Sequence, residues 1–186
     1  MWKGSLAILC VAAACHSSET KAVDARLCDA LEISHQTAVA LLDQAAQEYV
    51  GIGAAMKLWE EGQRMPPGSD GTGKYIDAGA RARGHREAAD SLCQSANAVN
   101  DEMRELVRLA HDSELQSHWH DFANIDCKLK TDPVTSVKNQ SEVQIEWTAV
   151  RNNILDVGQK SLDVCEARFA TKPAATRSTP FSLVIE

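Results

Sequence analysis

Two stretches of this sequence hold residue types that do chemistry. GSDGTGKY, residues 68–75, places Gly68, Gly73 and Lys74 in register with a phosphate-binding loop. In such a loop backbone amides cradle phosphates, a Lys reaches them and a Ser or Thr hydroxyl meets magnesium. Tyr75 stands where that hydroxyl belongs. HDSELQSHWHDF, residues 111–122, gathers His111, His118, His120, Asp112 and Asp121, all capable of holding a transition metal. A zinc site needs three or four convergent donors. His111 and His118 lie seven apart, on one helical face, while His118 and His120 point to nearly opposite sides. One helix therefore supplies at most two ligands, and no HExxH spacing occurs.

Neither stretch has the context its chemistry requires. A phosphate-binding loop follows a buried strand, whereas KLWEEGQRMPP, the charged end of a helix and two prolines, precedes this one. The glycines there suit a turn between helices, where they allow positive φ. No Ser-His-Asp, Cys-His or paired-carboxylate arrangement is evident, so no catalytic residue, metal site or cofactor is assigned. His111 to His120 reads as a polar helix end, where cationic His suits the C-terminal dipole. His35 and His85 fall in the apolar seams of neighbouring helices, as satisfied core histidines, a register-setting polar pair or a pH-sensitive spot. Arg81, Arg83 and Arg86 form a local basic patch that reads as a solvated face.

The elements that position these residues are helical. The 186-residue chain fits one domain, and its apolar share of 44% with only 5% aromatics is rich in Ala and Leu, a helix composition. A formal net charge of −7 gives nucleic-acid binding no electrostatic footprint. Leu31, His35, Ala38, Leu42, Ala45, Tyr49, Ile52, Met56 and Trp59 recur at alternating spacings of four and three. Ala78, Ala82, His85, Ala89, Leu92, Ala96, Val99, Met103, Leu106 and Ala110 make a second seam, and Val143, Trp147, Val150, Ile154, Val157, Ser161 and Val164 a third. These are heptad seams. They predict helices over 25–64, 76–120 and 141–169, the last opened by a Ser141–Gln144 capping box. The expected fold is all-α: an elongated antiparallel three-helix bundle with coiled-coil-like packing. Trp59, Trp119 and Trp147 belong to or near its core, and Gly51 and Gly53 permit close helix approach.

Export is the expected destination. Lys3 followed by SLAILCVAAA, then small residues before Cys15, reads as a signal peptide over 1–14, too short to span a bilayer. The ectodomain would cover 15–170 and a disordered tail 171–186. Cys28, Cys93, Cys127 and Cys165 would then form two disulfides. In an up-down-up bundle, heights along the helices favour Cys28–Cys127 and Cys93–Cys165. Asn139-Gln140-Ser141 is a glycosylation sequon at Asn139.

RLCDALEISHQTAVALLDQA, ADSLCQSANAVNDEMRELV and SLDVCEARF, with a leader before them and a further Cys between the last two, resemble the invariant surface glycoproteins of African trypanosomes over roughly residues 20–170. The resemblance implies an extracellular helical bundle on the parasite surface, with some relatives acting as receptors for host proteins. That family ends in a transmembrane helix, so the expectation is a truncated, ectodomain-only or secreted member. The expected function is non-enzymatic binding of a host or other extracellular protein. Two alternatives remain open. One is a secreted inhibitor similar in outline to plant invertase and pectin-methylesterase inhibitors, although those carry a close N-terminal cysteine pair. The other is a periplasmic lipoprotein, lipidated at Cys15, that binds a small ligand or metal at the His111–His120 end.

Overall fold

The computed structural model describes residues 6–66, 68, 71–117, 126–134 and 139–169. Four helices account for most of them: α1 (Leu6–Gln63), α2 (Gly71–Arg108), α3 (Ser113–Ser117) and α4 (Gln140–Phe169). No strand occurs among the described residues. The all-helical class thus follows from the composition, and the long helices follow the seams.

The seams are buried as their spacing requires. Leu31, Ala38, Leu42, Ala45, Tyr49, Ile52 and Met56 of α1 are all in the core, with Ala78, Ala82, Ala89, Ala96 and Met103 of α2 and Val143, Trp147 and Ile154 of α4. Alanines recur on α2 where it meets α1, and small side chains let two long helices lie close together. The tilted Tyr49–Trp147 ring contact, with centroids 5.0 Å apart, joins α1 to α4. One cluster fills the middle and upper bundle, and a second, around Leu31, Met103, Val107 and Leu115, fills the end near Cys28.

The connections depart from expectation. α1 and α2 form an antiparallel hairpin, closed by a turn in which Gly68 adopts φ 86°. The second helix, expected over 76–120, breaks after Arg108. Asp112 then accepts bonds from the amides of Glu114 and Leu115, capping the short α3. Residues 126–134 run back up the bundle. Cys127 is bonded to Cys93, and Asp132 of the same segment pairs with Arg86, one to two turns higher on α2. Glu146 of α4 anchors this segment by accepting bonds from the Lys130 and Thr131 amides and the Thr131 hydroxyl. Gln140 reaches back to the Pro133 carbonyl.

Because the chain has already climbed, α4 descends. It runs antiparallel to α1, since Gly53 meets Gln140, Asp43 meets Arg151 and Cys28 meets Cys165. It runs parallel to α2, since Asn100 meets Ile154 and Met103 meets Gly158. The up-down-up bundle is therefore corrected to a hairpin plus an ascending segment and a descending third long helix.

The cysteine pairing changes with it. The disulfides are Cys28–Cys165 and Cys93–Cys127, not Cys28–Cys127 and Cys93–Cys165. The height argument failed because it left Cys127 at the lower end and sent the third helix upward. α4 begins at Gln140, so Ser141 lies inside its first turn and is not the residue that opens it.

Candidate functional site

The phosphate-loop match sits at the hairpin turn. Helix α1 ends five residues before Gly68, α2 begins three residues after it, and Gly73 and Lys74 lie within α2. The local frame is helix-turn-helix rather than strand-loop-helix, so the strand that sets a phosphate-binding loop against its ligand is missing before Gly68.

Of the residues singled out in the histidine-rich stretch, His111 and Asp112 lie within the described residues. His118, His120 and Asp121, like Trp119, lie outside the described residues. No group of three or more His, Cys, Asp or Glu able to hold a metal occurs among the described residues. His111 instead meets Asp24 of α1, whose buried carboxylate accepts bonds from the His111 amide at 3.0 Å and faces the ring Nδ1 at 3.3 Å. Beside it Arg168 of α4 bridges Asp112 and Glu114. Burial tends to raise the Asp112 carboxyl, but the Leu115 and Glu114 amides and the Arg168 guanidinium outweigh it and hold it below the usual range. With Cys28–Cys165, these groups fasten the lower ends of α1, α3 and α4 together. The sequence held a usable signal for Asp24, which continues the first seam one heptad below Leu31. A carboxylate at a seam position must find a partner.

His35 and His85, which sequence placed in facing seams, are not brought together. They sit at different heights on the bundle. His85 Nδ1 lies 2.6 Å from the Glu48 carboxylate, and its ring covers Gly51, where a Cβ would fall 2.7 Å from the ring. His35 is 9% exposed and lies against Gly158 of α4 and near Met103 of α2; its Nδ1 has no hydrogen-bond partner. Burial pushes its pKa below the ordinary histidine value. Within a turn or so of Gly158 lie two further buried polar residues, Ser161 and Asn100, whose amide donates to the Ile154 carbonyl at 2.9 Å. The pH-sensitive reading of His35 thus has a physical basis, while His85 is half exposed and within hydrogen-bond distance of Glu48.

Two of the three arginines of the basic patch are tied to carboxylates. Arg81 pairs with Asp77, and Arg86 with Asp132 and Asp90. Trp147 is a core residue whose Nε1 is buried without a partner, and Trp59 lies half buried over Gly79. Asn139, first residue of the sequon, is half buried immediately before α4.

Geometry and exposed apolar side chains coincide at the turn end of the α1–α2 hairpin. α4 starts level with Gly53, so about ten residues of α1 and the start of α2 extend past it, a reach of ~15 Å. Leu58, Met65 and Ile76 belong to this projecting hairpin end and are 48%, 43% and 64% exposed. Comparison with protein-family models, curated proteins and solved structures finds no match to this chain. No described helix is long and apolar enough to cross a membrane. The arrangement can stiffen a rod and present an end.

Proposed function

We propose that the protein is an exported, non-enzymatic helical bundle that binds a macromolecular partner through the projecting end of its α1–α2 hairpin. The supporting observation is the exposure of Leu58, Met65 and Ile76 on a part of the hairpin that α4 does not cover. Large apolar side chains at a solvent-facing end lose water contact favourably only when something covers them. Two disulfides between distant elements support an oxidising, extracellular setting. In that setting the leader is removed near residue 15 and Asn139 carries a glycan. On the resemblance to invariant surface glycoproteins, the partner is a host extracellular protein.

The test uses the disulfide-intact full chain against a panel of purified host extracellular proteins by surface plasmon resonance. For the partner that binds, Leu58→Lys and Ile76→Lys together are expected to weaken affinity at least tenfold without altering helix content or melting. Unchanged affinity for that pair would refute the hairpin end as the binding surface. No binding to any of the panel, together with reduced thiols in protein from its native source, would remove the exported-binder reading.

A further inference from the structure

We propose that His35 and Gly158 form an acid-sensitive latch that releases the upper part of α4 from the α1–α2 hairpin while the Cys28–Cys165 staple keeps its lower end attached. The inference concerns conformation and stands independently of the binding surface.

The geometry begins with the notch at Gly158. A Cβ there would lie 2.5 Å from His35 Nδ1 and 3.2 Å from Met103 Cε, so the missing side chain is what admits the ring. The imidazole occupies a three-way contact among α1, α2 and α4, and its Nδ1 has no hydrogen-bond partner. A neutral ring tolerates this place, since one nitrogen without a proton is only an unused acceptor. An imidazolium does not: both nitrogens become donors and the ring carries charge into the core.

Among the described residues no neighbour offers a compensating anion. The residues described against the ring are Gly158 of α4 and Met103 of α2, with Asn100 a turn away, and none is ionisable. Nearby ionisable groups are engaged elsewhere. Asp101 pairs with Arg104 on α2, Asp156 with Lys160 on α4, and Asp43 of α1 with Arg151 of α4, while Glu32 accepts a bond from Gln36. Asp29, Glu102 and Asp163 are exposed, and Asp163 accepts from Gln159. Burial is accordingly what lowers the His35 pKa.

Placement turns this group into a latch rather than a general weak point. His35 lies seven residues above Cys28, and Gly158 seven residues above Cys165 on the descending helix. The ring is thus two turns from a covalent link that cannot open with pH. Above it, α4 is held to α1 by apolar contacts and the Asp43–Arg151 ion pair, to α2 by the Asn100 bond to the Ile154 carbonyl, and to the climbing segment by the bonds of Gln140 and Glu146, with no disulfide of its own. Proton uptake at His35 therefore favours a state in which α4 swings away above the staple.

The sign and size follow from linkage. The docked state binds the proton less well than the open state, so acidification favours opening. The open fraction should rise about tenfold per pH unit below the ordinary histidine value, until the docked ring also titrates.

The experiment is hydrogen exchange of the full, disulfide-bonded chain between pH 7 and pH 4.5, expressed as protection factors so that intrinsic chemical rates cancel. Residues 143–157 should lose protection about tenfold per pH unit on the acid side, beyond any loss in the α1–α2 hairpin. His35→Gln should remove that excess slope. An identical slope in His35→Gln, or a loss spread evenly over all helices, would overturn the latch. Should that variant not fold, histidine NMR of the wild-type chain decides. A His35 titration displaced to acid and coincident with α4 opening sustains the proposal, and ordinary titration without opening refutes it.

Discussion

Substituting alanine for two helical glycines isolates the notch that His35 occupies. Gly84 of α2 is exposed and nothing lies within 4 Å of where its Cβ would go. Gly84→Ala should therefore yield only the helix-propensity gain, about 1 kcal/mol of added stability. Gly158→Ala carries the same gain, but its Cβ would fall 2.5 Å from His35 Nδ1. The Met103 methyl can yield, whereas the imidazole is enclosed by three helices and has little room to retreat. Overpacking of a filled core costs about 1–3 kcal/mol. The propensity term is common to both variants, so their difference reports the steric term, with Gly158→Ala the less stable by about 1–3 kcal/mol. Urea unfolding with disulfides intact, followed by circular dichroism, measures it, and equal slopes for the two variants would show that unfolded-state compactness is unchanged. In melting, each kcal/mol should appear as a shift of about 2–4 °C for a chain of this size. Two variants of equal stability would mean that the ring is not locked against Gly158. His35→Ala in the Gly158→Ala background should relieve the clash, giving a coupling of about 1 kcal/mol or more.

Removing Cys28–Cys165 should cost about 1 kcal/mol more than removing Cys93–Cys127, because the sequence separations are 137 and 34 and loop entropy grows with their logarithm; paired Cys→Ala variants compared by denaturant unfolding check this. A double-mutant cycle on Asp43→Ala and Arg151→Ala should return a coupling of about 0.5–1 kcal/mol that shrinks in high salt, since one partner is mostly buried and the other part exposed. Glu146→Gln should selectively raise hydrogen exchange at Lys130 and Thr131, whose amides it holds. Acidification should do the same: those hydrogen bonds keep the Glu146 carboxyl below its usual range, so its contribution is complete above that range and fades as pH falls through the lowered value. Gly51→Ala should be milder than Gly158→Ala, since the half-exposed His85 ring can move aside at the expense of its Glu48 bond; the same urea series tests it.

Heptad spacing carried most of what was legible. Apart from Ala46 and Ala55, the buried residues of α1 from Leu31 to Met56 fall on the seam that the sequence defines, because a helix packed along its whole length repeats its contacts every seven residues. Such periodicity reports which face is buried and says nothing of direction. The direction of α4 depended on residues 109–139, a connection long enough either to turn at one end or to climb the bundle. Reading it as a turn produced both the wrong helix sense and the wrong cysteine pairs. The contact between Asp24 and His111 joins residues 87 positions apart, and only the oddity of a carboxylate on a seam pointed toward it. His35 was visible as a polar seam residue, but its accommodation by Gly158 is a contact between helices that no local pattern encodes.

The staple near the lower end has a mechanical meaning. A pull applied between α1 below Cys28 and α4 beyond Cys165 passes from one helix to the other directly through the sulfur bridge. The chain from Cys28 to Cys165, including the hairpin, the climbing segment and nearly all of α4, lies in a closed loop that such tension bypasses. If the protein is tethered through that end, drag on the tether or on a captured partner strains only the part of α1 before Cys28 and the last turn of α4 after Cys165. The rod above the bridge can then change shape in response to protons without being opened by force.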